Sequence, residues 1–369
     1  MRAVLCPRHG RPTVEDGKRV SLLESVRHLG ERFPSAGLRT VNVVRAADLD
    51  ARADRSGSTR VWLALEAMQV TGSFKVRGAL AALGAIVKRG GGSAARVVAA
   101  SAGNHAAGVA YAAHVLGVGA TVVMPRGVPA TKRSRVQAYG AEIVLAETDH
   151  YDDAEALGQR LAVERGATFL SPYDDVDVVA GNGGSLGFEI ARALGRVPDR
   201  VLAPFGGGGL CTGLAWALSR ESQGRGGPTG RVWGAQSEAS PVMAMSLERG
   251  EAVVRFIPQV PTLAEGLEGG ISPSAFARAR DAIEGVLVVG EQDILTAMVY
   301  AYRQMGLVLE GSAAAALAPL LCDDVHAPLF EGSPRNGSGQ VDLVVVLTGR
   351  NVDRERLEGV LARAPEIGS

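Results

Sequence analysis

From Val61 onward, short apolar runs alternate with amphipathic stretches of about a dozen residues, the rhythm of a strand followed by a crossover helix. Residues 96–100, 121–124, 142–146, 201–203, 232–236 and 342–347 read as strands, and their near-continuous Val, Leu and Ala content predicts burial on both faces. Between them, 106–116, 130–139, 154–165, 186–194 and 211–219 have helical spacing. Further helices are expected at 20–33, closed by Pro34 and Gly37, and at 274–282, 291–305 and 312–321. The alanine run at 313–318 reads as a closely packed core helix. The stretch 323–340 is rich in Pro, Gly, Ser and Asn and reads as a surface loop before the last strand. Strand–helix alternation of this kind predicts parallel sheets wrapped by helices.

At 369 residues the chain exceeds one ordinary domain of ~100–200 residues, so two lobes are expected. Lys plus Arg equals Asp plus Glu at 39 each, so no net field selects nucleic acid or an acidic membrane. A small-molecule partner is expected instead. No apolar run approaches the ~18–20 residues of a membrane span. The first twenty residues lack the apolar core of a signal peptide, which predicts a cytoplasmic protein. Cys6, Cys211 and Cys322 have no paired spacing and read as free thiols. The only lysines are Lys18, Lys75, Lys88 and Lys132, which leaves few candidates for amine chemistry.

Four segments carry candidate chemistry. In Gln69-Val-Thr-Gly-Ser-Phe-Lys75-Val-Arg-Gly-Ala79, the lysine stands at a strand-to-helix junction between small residues and an aromatic. A cleft position would desolvate its ammonium and favour the neutral amine that attacks an aldehyde; a plain helix-capping lysine is the alternative. Ser101-Ala-Gly-Asn-His105 lies at a helix N-terminus, where backbone N–H groups and the helix dipole suit a carboxylate or phosphate, or form a simple capped turn. Pro204-Phe-Gly-Gly-Gly-Gly-Leu210 lets the backbone approach an anion closely. It lacks the pattern of a dinucleotide fold or a P-loop, so nucleotide binding is the weaker reading. Thr348-Gly-Arg-Asn351 follows the last buried strand, at the sheet edge where ligands bind in open parallel sheets, or is a plain strand-end turn.

Together these segments resemble the fold-type II pyridoxal-phosphate enzymes, the tryptophan-synthase β-like family, from Arg39 to Asn351. Within that family the chain is most similar to the threonine/serine dehydratases and serine racemases. His150-Tyr-Asp-Asp-Ala154, Pro172-Tyr-Asp-Asp175, Ala180-Gly-Asn-Gly183, Gln236-Ser-Glu238 and Glu310-Gly-Ser312 add to the likeness. The resemblance implies a two-domain α/β fold with open, mostly parallel twisted sheets flanked by helices. Residues 1–80 and 176–369 would form a large cofactor-holding domain, and 81–175 a small domain with the substrate loop. A homodimer is also implied.

The resemblance implies roles as well. Lys75 would hold pyridoxal 5'-phosphate as a Schiff base and shuttle the α-proton, with Phe74 against the pyridine ring. Asn104 would bond the phenolic oxygen, and Gly206, Gly207, Gly208, Gly209 and Leu210 would hold the phosphate. Thr348 would face the pyridine nitrogen. Ser101, Ala102, Gly103, Asn104 and His105 would bind the carboxylate of an amino-acid substrate. A hydroxyl at the ring nitrogen moderates the electron sink and suits β-elimination to a 2-oxo acid and ammonia.

Departures from the family pattern shape that expectation. Ala102 stands where racemases carry the opposite-face serine, which argues against racemisation. Arg350 replaces a glycine of the dehydratase Ser-Gly-Gly-Asn pattern and is similar to threonine synthases. Turned into the cleft, it would bind a second carboxylate or phosphate, which keeps a β- or γ-replacement synthase as the alternative; otherwise it is a solvated arginine at a strand end. In 236–242 only Glu238 is acidic, so the racemase metal site is not expected.

Overall fold

A computed structural model describes residues 2–7, 17–53, 58–225, 230–322, 329 and 339–363. Seven of its strands, β1 (Arg2–Leu5), β2 (Val43–Arg45), β3 (Thr59–Leu65), β8 (Arg200–Pro204), β9 (Arg231–Ser237), β10 (Gly285–Val289) and β11 (Val341–Leu347), form one sheet. Their order across it is β1-β10-β9-β8-β11-β3-β2. A second sheet holds β4 (Arg96–Ala100), β5 (Gly119–Met124), β6 (Glu142–Leu145) and β7 (Thr168–Phe169), all parallel, in the order β6-β5-β4-β7. In the larger sheet only β1 and β2, at its two edges, run antiparallel to their neighbours.

Apolar strands covered on both faces account for this arrangement. β8, β10 and β11 are buried along their whole length, and the alanine-rich helix Gly311–Leu317 is buried throughout. Small side chains let that helix lie close to the sheet, as the alanine run predicts. Local signals set the helix ends. Ser272 Oγ accepts the amide of Ala275, with Pro273 as the first helical residue of Pro273–Ala282. Asp175 Oδ1 likewise accepts the amides of Asp177 and Val178.

The strand–helix rhythm left four strands unread. β1 and β2 are short antiparallel edges outside the β–α repeat, and β7 has two residues. β10 is a five-residue apolar run that periodicity does not separate from a helical segment. The expected helix at 20–33 is two pieces, Gly17–Val26 and Leu29–Arg32. Most of the 323–340 loop lies outside the described residues. Among the described residues no helix is long and apolar enough to cross a membrane, and Cys6, Cys211 and Cys322 form no disulfide.

Register positions the functional segments. β11 pairs with β3 so that Leu347 faces Leu65, and with β8 so that Val345 faces Leu202. Three neighbouring parallel strands therefore end at one sheet edge, delivering the Lys75 segment, Thr348 and the glycine run to the same side.

Candidate active site

Backbone pairing joins the first two of these segments. The Phe74 amide donates to the Thr348 carbonyl at 3.0 Å, and the Arg350 amide to the Gly72 carbonyl at 3.0 Å. Ser73 and Gly349 form the antiparallel bridge between them. Lys75 then opens the helix Lys75–Ile86. Its side chain is half-buried, with Nζ 5.1 Å from the centre of the Phe74 ring. Burial pushes the ammonium down from an ordinary 10.5 to about 8, against the opposing pull of the Glu310 carboxylate.

The glycine run follows β8, and Gly209 opens the helix Gly209–Arg225. Gly208 has a φ of +84°, a conformation that side chains strain, and a Cβ at Gly207 would stand 2.7 Å from Tyr173 Cβ. At Gly207 and Gly208 a side chain would clash or be strained, and the run leads into a helix N-terminus. Gly206 lies against the Gly266 carbonyl, whose residue donates its own amide to Ser312 Oγ at 2.9 Å. Two residues before Ser312 comes Glu310. Asn182 adds a second link, with its Oδ1 accepting the Gly78 amide of the lysine helix at 2.9 Å.

The 101–105 segment leaves β4 and enters the thirteen-residue helix Asn104–Leu116, whose first amides have no intrahelical acceptor. Ser101 Oγ accepts the Gly103 amide at 3.2 Å. His105 is buried, with Nε2 3.2 Å from the Leu170 carbonyl oxygen, so Nε2 carries the proton. Burial, then the neighbouring Lys75 charge, push its pKa down to about 3 and keep the ring neutral. Its Nδ1 is buried with no hydrogen-bond partner.

Asn104 Nδ2 donates to Glu310 Oε1 at 2.7 Å, and the Asn351 amide donates to Glu310 Oε2 at 3.2 Å. Burial raises the pKa of this carboxyl group, while Asn104, the Asn351 amide and Lys75 oppose the rise. The site therefore gathers Lys75, Asn104, His105, Glu310, Asn351 and the Thr348 backbone. Glu310 and Asn351 were missed as site residues. Their signals were the acid of Glu310-Gly-Ser312 and the asparagine closing 348–351, neither distinctive without the fold.

Thr348, Leu210 and Phe74 are all buried. Ala102 is half-buried beside Ser101. Arg350 stands apart from the group: it is exposed, and its Nη1 lies 3.6 Å from Met68 Sδ. Glu238 Oε1 accepts the Glu291 amide at 3.2 Å, capping the following helix.

Known proteins resemble this chain in sequence and in fold. The chain is 37% identical over 306 residues to the L-threonine ammonia-lyase of Geobacter sulfurreducens, covering 82% of this chain and 70% of that one. The crystal structure of a threonine deaminase from T.th. matches with a TM-score of 0.73 at 33% identity, over 90% of this chain and 98% of that one. The structure of maize serine racemase matches with a TM-score of 0.77 at 25% identity, over 92% and 97%. The model of the family described as pyridoxal-phosphate dependent enzyme matches residues 39–349, and the chain belongs to that family.

Proposed function

We propose that this chain is a pyridoxal-phosphate-dependent ammonia-lyase of the threonine/serine dehydratase kind, with Lys75 as cofactor lysine and proton carrier. The observation that carries the reading is the half-buried Lys75, with its pKa pushed down to about 8, beside the Asn104–Glu310 pair. The residues present fit the cofactor. A run of glycines, two of them at positions that exclude or strain a side chain, suits a phosphate, and a lysine of lowered pKa suits an aldehyde.

When bound, pyridoxal phosphate supplies the electron sink that labilises bonds at the α- and β-carbons. The chain does the rest. The amides of Gly206, Gly207, Gly208, Gly209 and Leu210 would hold the phosphate, and Phe74 would lie against the ring. Thr348 offers the ring nitrogen a hydroxyl, which does not deliver a full positive charge as an acid would. Asn104 would donate to the phenolic oxygen. Ser101, Ala102, Gly103, Asn104 and His105 bind the substrate carboxylate at a helix N-terminus. Lys75 Nζ takes the α-proton and holds it while the β-substituent leaves.

Ala102 has no proton to give, so the chain offers no opposite-face acid at that position, which favours elimination over racemisation. Arg350 lies on the surface against Met68 and acts on substrate only after turning inward. The same proposal includes a large domain of 1–80 and 176–369, a small domain of 81–175, a cytoplasmic homodimer and an amino-acid substrate.

Incubation with pyridoxal phosphate is expected to turn the protein yellow, and threonine or serine alone to release a 2-oxo acid and ammonia. Lys75→Ala should do neither. A wild-type protein that stays colourless, or one that forms only a coupled product with a second substrate, overturns the reading.

A further inference from the structure

A backbone carbonyl fixes the polarity of a chain of amides in the cleft. Asn351 Nδ2 donates to the Thr71 carbonyl at 2.9 Å. A carbonyl oxygen only accepts, so this end of Asn351 is its NH2 group. The same nitrogen lies 2.7 Å from Asn104 Oδ1, which makes that atom the acceptor end of Asn104. The opposite end of Asn104 is then its NH2 group, and it meets Glu310 Oε1 at 2.7 Å. Asn351 also pins the other carboxylate oxygen with its backbone amide at 3.2 Å. The turn that presents Thr71 is built around this residue: Gly72 has a φ of +76°, and a Cβ there would stand 2.4 Å from Asn351 Oδ1.

We propose that Asn351 is a positioning residue that locks the Asn104 amide with its N–H groups, not its oxygen, toward Glu310 and the cofactor. A flipped Asn104 would set its oxygen against the carboxylate and its NH2 against that of Asn351, two repulsive contacts. One N–H of Asn104 is committed to Glu310, and the second is the donor for the phenolic oxygen. The inference rests on the proposed function, because it needs that oxygen in the cleft.

The test uses wild-type holoprotein, Asn351→Asp and Asn351→Ala, with absorbance spectra at saturating pyridoxal phosphate. An aspartate of the same size only accepts, so it removes the donor to Asn104 and favours the flip. A donor at the phenolic oxygen stabilises its charged, yellow form. Asn351→Asp should therefore shift absorbance from the yellow band to the near-ultraviolet band and weaken cofactor binding on the order of tenfold, the loss of one charge-assisted hydrogen bond. Asn351→Ala, which frees Asn104 to rotate, should fall between, and neither variant should alter the band ratio in an Asn104→Ala background. A band ratio unchanged in both single variants at full occupancy overturns the inference, even if both melt at lower temperature. Wild-type protein that never turns yellow overturns instead the functional reading beneath it.

Discussion

Gly108 lies so close to Lys75 that a Cβ on it would stand 3.0 Å from the Lys75 carbonyl oxygen. The helix that begins with the substrate-loop residues Asn104 and His105 thus touches, backbone to backbone, the helix that begins with the lysine. No side chain intervenes to absorb a change in their spacing.

Gly108→Ala is expected to push these helices apart by a few tenths of an ångström. Overpacking of this kind costs about 1–3 kcal/mol. The melting temperature should fall, and kcat/KM with it, because Lys75 and the 101–105 loop separate. Gly183→Ala should be worse, since its Cβ would meet the Leu210 carbonyl oxygen at 2.1 Å under the glycine nest. Gly359→Ala, in a helix where nothing lies within 4 Å, is the control and should be neutral or stabilising. Thermal melts that rank the three in any other order contradict this packing account.

These contacts mark what the sequence made legible. Lys75 and the glycines of 206–209 announced themselves because the chemistry of an amine or an anion nest restricts residue type within a few neighbouring positions. The parallel strands were readable for a similar reason, burial on both faces leaving long apolar runs such as Val341–Leu347. Glu310 did not stand out, because an acid before Gly-Ser gains meaning only when the fold brings Asn104 and Asn351 to it from positions 206 and 41 residues away. Edge strands β1 and β2 escaped for lack of a two-sided apolar pattern.

Burial sets the pH range in which Lys75 is reactive, and Glu310 tempers it. At about 8, the pKa leaves roughly 300-fold more neutral amine at pH 7 than an ordinary lysine of 10.5 would have. The negative charge of Glu310 favours the ammonium and raises that pKa, while burial lowers it. Glu310→Gln removes the charge and keeps the shape. The rate at which apoprotein captures pyridoxal phosphate, followed against pH, should therefore have a lower midpoint in the variant. An unchanged or higher midpoint would mean that the two groups are not electrostatically coupled.

Behind the lysine helix lies an ion cluster whose removal should unsettle the whole site. Arg77 is fully buried two residues after Lys75, and its guanidinium donates to Glu66 at 2.8 Å through both Nε and Nη2. It also donates to Glu189 at 3.0 and 2.7 Å and to Ser185 Oγ at 3.1 Å. Burial works against the charge, but the two carboxylates outweigh it and hold the guanidinium above its ordinary range. The cluster joins the turn after β3, the lysine helix and the helix Ser185–Leu194. Arg77→Met strands two buried carboxylates, and breaking such a pair costs about 3–5 kcal/mol. Denaturant titration should show that loss, with cofactor affinity falling alongside. Adding Glu66→Gln and Glu189→Gln removes the stranded charges and should recover part of the stability. A triple variant no more stable than Arg77→Met would show that shape, not charge balance, is what the cluster supplies.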